Sequence, residues 1–196
     1  MTVRLARPGD AAAVLSIYGP FVRDTHVSFE ARVPTEDEMA KRIGATLPAW
    51  PWLVAETDAG VVGYAYAGSH RHREAYQWSV EASVYVVPGA RRRGVARTLY
   101  EALLDVLRLQ GYASVYAGIA LPNPASLGFH RALGFEPIGV YRRVGFKRGA
   151  WRDVEWLGVS LGDGAAPDSP RPLDAVAPAV AARLADAGRR SERRDP

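Results

Sequence analysis

One stretch constrains this chain more than any other: "VYVVPGARRRGVARTLYEALLDVL", Val84 to Leu107, where an apolar strand runs through a proline turn and an arginine cluster into a long helix. Val95, Leu99, Leu103, Val106 and Leu107 recur at helical spacing, so the helix from about Gly94 to Gln110 carries one buried face. Gly111 stops it. A strand that turns straight into a helix aims several unpaired backbone N–H groups and the positive end of the helix dipole at one point, and such a point binds phosphate. The residue types agree. Gly94 lets the backbone approach an anion, Ala96 leaves room beside it, and Arg91, Arg92, Arg93 and Arg97 surround the spot with charge. The spacing Arg-x-x-Gly-x-Ala is neither the Walker loop nor the three-glycine dinucleotide fingerprint. Taken alone, these residues also fit a solvated arginine turn ahead of an amphipathic helix.

Around this corner the pattern predicts an α/β or α+β layered sheet of about seven strands. Val3 to Ala6 reads as a strand, "PGDAAAVLSIYGPFV" as a helix with Pro8 and Asp10 near its N-cap, and "TEDEMAKRIGATL" as a second helix. "PWLVAET" and "GVVGYAYAG", joined by "DAG", read as a hairpin. After the polar loop "SHRHREAYQW" come the strand "SVEASVYVV", the long helix, the strand "ASVYAGIAL" and the helix "NPASLGFHRALG". Two strands, "FEPIGVYRRVGF" and "AWRDVEWLGVSL", finish the domain at Leu161.

From residue 162 to 196 the chain turns rich in Ala, Pro, Arg and Asp and holds no aromatic residue. It reads as a tail, at most partly helical near 174–187, with proline and charge favouring disorder. Its six arginines balance six acidic side chains, so residues 1–161 carry the whole net charge of +4. That excess sits in one turn rather than along a face, which argues against a nucleic-acid binder. No apolar run approaches the roughly eighteen residues of a membrane span, and "MTVRLARPGD" lacks a signal peptide's apolar core. With no cysteine in the chain, a reducing, cytoplasmic setting is expected. His26, His70, His72 and His130 lack metal-ligand spacing, so no metal is expected.

The arginine-glycine corner resembles the pyrophosphate-binding signature of the GCN5-related N-acetyltransferase (GNAT) family, here Arg91, Gly94 and Ala96. "NPASLGFHRALGF" is similar to that family's asparagine helix in Asn123, Ser126, Gly134 and Phe135. It departs at His130, where most relatives carry a tyrosine thought to protonate the leaving thiolate. The subgroup of phosphinothricin and methionine sulfone acetyltransferases carries histidine there, and "VSFE", "AYQWSVEASVYV", "LPN" and "VGFKRGAWRDV" also resemble it. The resemblance covers most of residues 1–161. It implies a GNAT acyl-CoA N-acyltransferase fold, a mixed and mostly antiparallel sheet flanked by about four helices. It further implies acetyl-CoA as co-substrate, held along Val84, Tyr85, Val86 and Val95 as well as the corner, Asn123 and Ser126, and a homodimer with loops near each other's sites.

Acyl transfer from a thioester to an amine needs a base, a donor for the oxygen that becomes negative and an exit for the thiolate. Glu81, an acid inside an apolar, aromatic strand, is the candidate base, since desolvation strengthens a carboxylate as a base. The alternative is an edge carboxylate facing solvent. The resemblance implies that the backbone N–H near Val86, where the strand splays in the family, supplies the oxyanion donor. His130 fits a proton donor, a substrate ligand or a packed helix residue. No covalent nucleophile is visible, so direct transfer in a ternary complex is expected. For the substrate, Arg71, His72, Arg73, Tyr76 and Trp78 suit a carboxylate or phosphinate. Phe29, Lys147, Trp151 and Asp153 close the other side on the subgroup's pattern. The expected amine is a small amino acid such as phosphinothricin, methionine sulfone or methionine sulfoximine. A polyamine, a peptide N-terminus or an antibiotic stays open, as does a silent acetyl-CoA-binding module.

Overall fold

In a computed structural model describing residues 1–162 and 168–192, the hydrophobic pattern resolves into a seven-stranded sheet with helices on both faces. The strands are β1 (Thr2–Leu5), β2 (Trp52–Thr57), β3 (Gly60–Ser69), β4 (Ser79–Val86), β5 (Ser114–Ala120), β6 (Glu136–Lys147) and β7 (Ala150–Ser160). The helices are α1 (Ala11–Asp24), α2 (Glu36–Thr46), α3 (Val95–Gln110), α4 (Pro124–Arg131) and α5 (Ala177–Glu192). The sheet order is β1-β2-β3-β4-β5-β7-β6. Every neighbouring pair is antiparallel except β4 with β5.

Alternation along the strands sorts their side chains into two cores. Val80, Ala82 and Val86 of β4 face the layer of α3, whose Val95, Leu99, Leu103, Val106 and Leu107 are all buried there. On the opposite face α1 and α2 pack Val14, Ile17, Met39 and Ile43 against Trp52, Val54 and Tyr64. Helix ends follow the local sequence. Thr35 and Glu38 close a reciprocal capping box on α2, and Gly111, at φ 91°, caps α3.

The parallel pair β4–β5 is short, and that shortness makes the site. Its register runs only from Ser79 opposite Ser114 to Glu81 opposite Tyr116. Beyond Glu81, β4 stays with β3 as far as Val86, while β5 stays with β7 as far as Ala120. The two strands therefore diverge, which is the splay expected from the family resemblance.

After Leu161 the described residues take the partly helical form allowed for the tail near 174–187 rather than the disordered one. A 3₁₀ turn at Asp174–Val176 leads into α5, which packs on α3 and β1. Val176, Val180, Leu184 and Ala187 are buried, an apolar stripe at helical spacing that the proline and charge content obscured. Pro178 is tolerated because it stands in the first turn, where no intrahelical N–H bond is lost. Residues 168–171 are tied down as well. The indole N–H of Trp78 donates to the Asp168 carbonyl at 2.9 Å, and Gln110 Nε2 donates to the Arg171 carbonyl at 2.9 Å. Part of the expected tail, residues 163–167 and 193–196, lies outside the described residues.

Candidate active site

The strand-to-helix corner is built as the sequence suggested. Gly94 is the N-cap of α3 at φ 78°, a left-handed conformation that costs an L side chain strain. A Cβ placed there would meet nothing within 4 Å, so the backbone faces an open cradle. Above it lies a cleft of about 690 Å³. Val84, Tyr85 and Val86 form one wall, Arg91, Arg92, Gly94, Val95, Ala96 and Arg97 the floor, and Asn123, Ser126 and Phe129 the far side. Arg91 lies over the Phe21 ring, 5.5 Å from its centroid, and Arg97 reaches Glu101 at 3.3 Å. Arg93 is exposed and lies outside the cleft lining. Asn123 caps α4, accepting from Ser126 N–H at 3.2 Å.

The hydrogen-bond polarity of β4 bears on the cleft. The Ser79 carbonyl accepts from His70 N–H just past β3, and Val87 N–H donates to the Val62 carbonyl of β3, so the odd-numbered residues between them face β3 and the even-numbered ones face away. The N–H groups of Val84 and Val86 therefore point into the gap left by β5.

Across that gap is a second pocket of about 410 Å³, lined by Glu81, Ser83 and Tyr85 of β4, by Tyr18, Phe29 and Glu30, and by Val154 and Trp156 of β7. The two pockets share Val27 and Tyr85. Glu81 is not desolvated as expected: its side chain is 39 % exposed. Two basic groups converge on its Oε1, His70 Nδ1 at 3.0 Å and Arg71 Nη1 at 3.4 Å. The α3 face of the strand is wholly apolar, whereas Glu81 stands on the other face, which also carries Ser79, Ser83 and Tyr85.

His130 is enclosed, 4 % exposed. Nδ1 lies 2.8 Å from the Ser126 carbonyl and Nε2 3.0 Å from the Tyr100 hydroxyl. A carbonyl only accepts, so Nδ1 carries the proton and Nε2 accepts from Tyr100. Burial pushes the imidazole below its ordinary value, partly offset by the bond to Ser126. It lines a narrow space of about 60 Å³ between β4 and β5.

The expected substrate loop divides. Arg71 reaches Glu81, and Tyr76 stands edge-on to His70, whereas His72 and Arg73 are exposed. Trp78 is drawn away to Asp168. Phe29 reaches the second pocket, and Lys147 donates to the Glu30 carbonyl beside it. Trp151 faces outward, edge to face with Phe146 and under Arg143. Asp153 holds the bend of β6 through Arg143 N–H at 2.7 Å. Sequence reasoning passed over His70, Tyr18 and Trp156. The antiparallel register sets Glu81 opposite Gly68, making His70 a diagonal neighbour on the same face, but the intervening loop hides that register from the sequence. Among the described residues no His, Asp or Glu cluster could hold a metal, and no helix is long and apolar enough to cross a membrane.

Known proteins share this chain's sequence pattern and fold. A model described as the acetyltransferase (GNAT) domain matches residues 3–156. The chain belongs to the GNAT family. It is an acetyl-CoA-dependent N-acetyltransferase. A phosphinothricin N-acetyltransferase of Streptomyces viridochromogenes is 39 % identical over 174 residues, covering 89 % of this chain and 93 % of the relative. An L-methionine sulfoximine/L-methionine sulfone acetyltransferase of Salmonella typhimurium is 36 % identical over 86 % of this GNAT chain and 99 % of its own. Among solved structures, a phosphinothricin acetyltransferase of Sinorhizobium meliloti in complex with acetyl-CoA superposes with a TM-score of 0.80 at 36 % identity, covering 86 % of this chain and 92 % of that one.

Proposed function

We propose that this enzyme acetylates the α-amine of a small amino acid whose side chain ends in a tetrahedral phosphinate, sulfone or sulfoximine, by direct attack within a ternary complex. The observation that carries the reading is the meeting of two pockets across the β4–β5 splay, an anion cradle on one side and a carboxylate with basic and aromatic walls on the other. The relatives named for phosphinothricin and for methionine sulfoximine and sulfone support the substrate class.

Acetyl-CoA, the co-substrate, supplies the acetyl group as a thioester. The residues fit it: the open cradle at Gly94 and the N-terminus of α3 take the pyrophosphate with Arg91, Arg92 and Arg97, and Val84 to Val86 offer strand-like bonds to the pantetheine. Val86 N–H is the donor to the oxygen that gains charge. Glu81 takes the proton of the substrate ammonium, directly or through one water; the freed amine forms the C–N bond as the C–S bond breaks, and CoA leaves as the thiol with the second proton that the nitrogen gives up. Arg71, with Tyr76 and Phe29, grips the carboxylate and side chain. His130, neutral and bonded at both nitrogens, is assigned to holding α4 on α3. The exposed apolar side chains of the last hairpin, Ile138, Val140, Phe146 and Trp151, support a homodimer closing over this pocket, and the cysteine-free composition fits the cytoplasm.

The test is release of free CoA thiol from acetyl-CoA with phosphinothricin, methionine sulfone, methionine sulfoximine, spermidine and a peptide, beside Glu81→Gln. Turnover restricted to the first three and reduced about 10²-fold or more in the variant is expected. Turnover of spermidine or the peptide alone sinks the amino-acid reading.

A further inference from the structure

We propose that His70 is a positioning residue that holds the Glu81 carboxylate in one orientation through its Nδ1–H, leaving Oε2 to receive the amine proton. The inference rests on the reading of Glu81 as the base. His70 sits just past the end of β3, and its side chain is only 15 % exposed although it belongs to a polar loop. The ring is clamped in an aromatic box. Its centroid lies 4.5 Å from that of Tyr116 at a tilt of 34°, and Trp156 and Tyr76 stand edge-on at 5.9 and 6.1 Å. The box fixes the ring plane, and Nδ1 meets Oε1 at 3.0 Å.

A glutamate at the rim of a pocket has three side-chain torsions to settle, and a base must lie within hydrogen-bond reach of the proton that it removes. Arg71 reaches the same Oε1, but at 3.4 Å and from a half-exposed side chain. The clamped imidazole is the stiffer restraint. With a proton on Nδ1 it donates to Oε1 and so orients the carboxylate. The supporting residue of a catalytic site works when its own rotamer is locked by packing, and the Tyr116–Trp156–Tyr76 box provides that lock.

The experiment compares steady-state kinetics of His70→Phe, His70→Asn, Glu81→Gln and the double variant His70→Phe/Glu81→Gln, with folding checked by thermal melting. Phenylalanine keeps a ring in the box and removes the donor, whereas asparagine returns an amide N–H near the place of Nδ1. His70→Phe is expected to lose about tenfold to hundredfold in kcat while KM for either substrate changes by less than about threefold. His70→Asn should recover most of kcat, and the double variant should be no slower than Glu81→Gln. Glu81→Gln impaired with His70→Phe at the parent's kcat overturns the positioning role alone. Independent, multiplying losses in the double variant overturn it as well. Full activity of Glu81→Gln removes the base assignment itself, and the inference with it.

Discussion

The imidazole of His130 accepts the hydroxyl proton of Tyr100 at 3.0 Å while its other nitrogen donates to the Ser126 carbonyl at 2.8 Å. The pair ties α4 to α3 at the base of the β4–β5 gap. Tyr100, wholly buried, is pushed far above the ordinary phenol range by desolvation, so its hydroxyl stays protonated at any working pH.

Burial lowers His130 below its ordinary 6.5, so the unfolded chain binds a proton that the folded chain refuses. The stability at stake is full above about pH 6.5 and drains as pH falls through 6.5 toward the lower folded value. Urea midpoints at pH 7.5 and 5.5 should differ for the parent and differ less for His130→Gln. An equal drop in both proteins means that another group drives it. The enclosure also predicts that His130→Gln keeps kcat within about tenfold. A loss beyond hundredfold in a protein of unchanged stability would return His130 to proton transfer.

At Gly94 the left-handed φ of 78° and the open space over the backbone separate two costs. Alanine there meets no atom, so folding loses only the backbone strain, about 1–2 kcal/mol. Its methyl group nevertheless occupies the cradle. Gly94→Ala should raise KM for acetyl-CoA about tenfold and leave KM for the amine unchanged, measured by varying each substrate at saturation of the other. A rise in the amine KM alone would put the phosphate corner elsewhere.

Gly145 and Phe29 make the converse case. A Cβ at Gly145 would lie 2.3 Å from the Phe29 ring, and Phe29 is 41 % exposed, so the ring can swing away without unfolding the core. Gly145→Ala should therefore move a wall of the second pocket. The expected result is a higher KM for the amino acid, an unchanged KM for acetyl-CoA and a thermal midpoint near the parent's. Phe29→Ala should act in the same direction. If neither shifts the amine KM, Phe29 does not touch the substrate.

The strand-to-helix corner was legible because its chemistry is contiguous: Arg91 to Arg97 and the cleft floor they make are one turn of chain, and helical spacing alone exposes the face Val95–Leu107. The order of β4 and β5 and the position of Glu81 followed for the same reason. The environment of Glu81 was not legible, because it depends on which side of β4 is covered and on the register that places His70 beside it across a loop. His130 shows the same limit, since its partner Tyr100 comes from α3, thirty residues earlier. Trp78 was assigned to the substrate by its place in the loop and Trp151 on the subgroup's pattern; the indole of the first donates to the Asp168 carbonyl and the second faces outward. After Leu161 a short helix near 174–187 was allowed, but its docking was not legible, because frequent proline and charge outweighed the four apolar residues on one helical stripe.

That stripe carries the last prediction. Leu184 is 6 % exposed and packs into the α3 core beside Val176, Val180 and Ala187. Truncating a buried leucine costs about 2–3 kcal/mol where the surroundings relax in part, equivalent to roughly 5–10 °C for a chain of this size. Leu184→Ala should lower the thermal midpoint by that amount and leave both KM values unchanged, because α5 touches α3 and β1 and neither pocket at the splay. The anchor at Trp78 offers a check on the mechanism. Trp78→Phe keeps the ring but deletes the N–H that holds the Asp168 carbonyl, so it should cost about 1 kcal/mol in the parent and distinctly less once Leu184→Ala has loosened the helix that the anchored segment leads into. Additive losses would mean that the anchor and the helix dock independently. A thermal midpoint unmoved by Leu184→Ala would mean that α5 contributes nothing to the folded domain in solution.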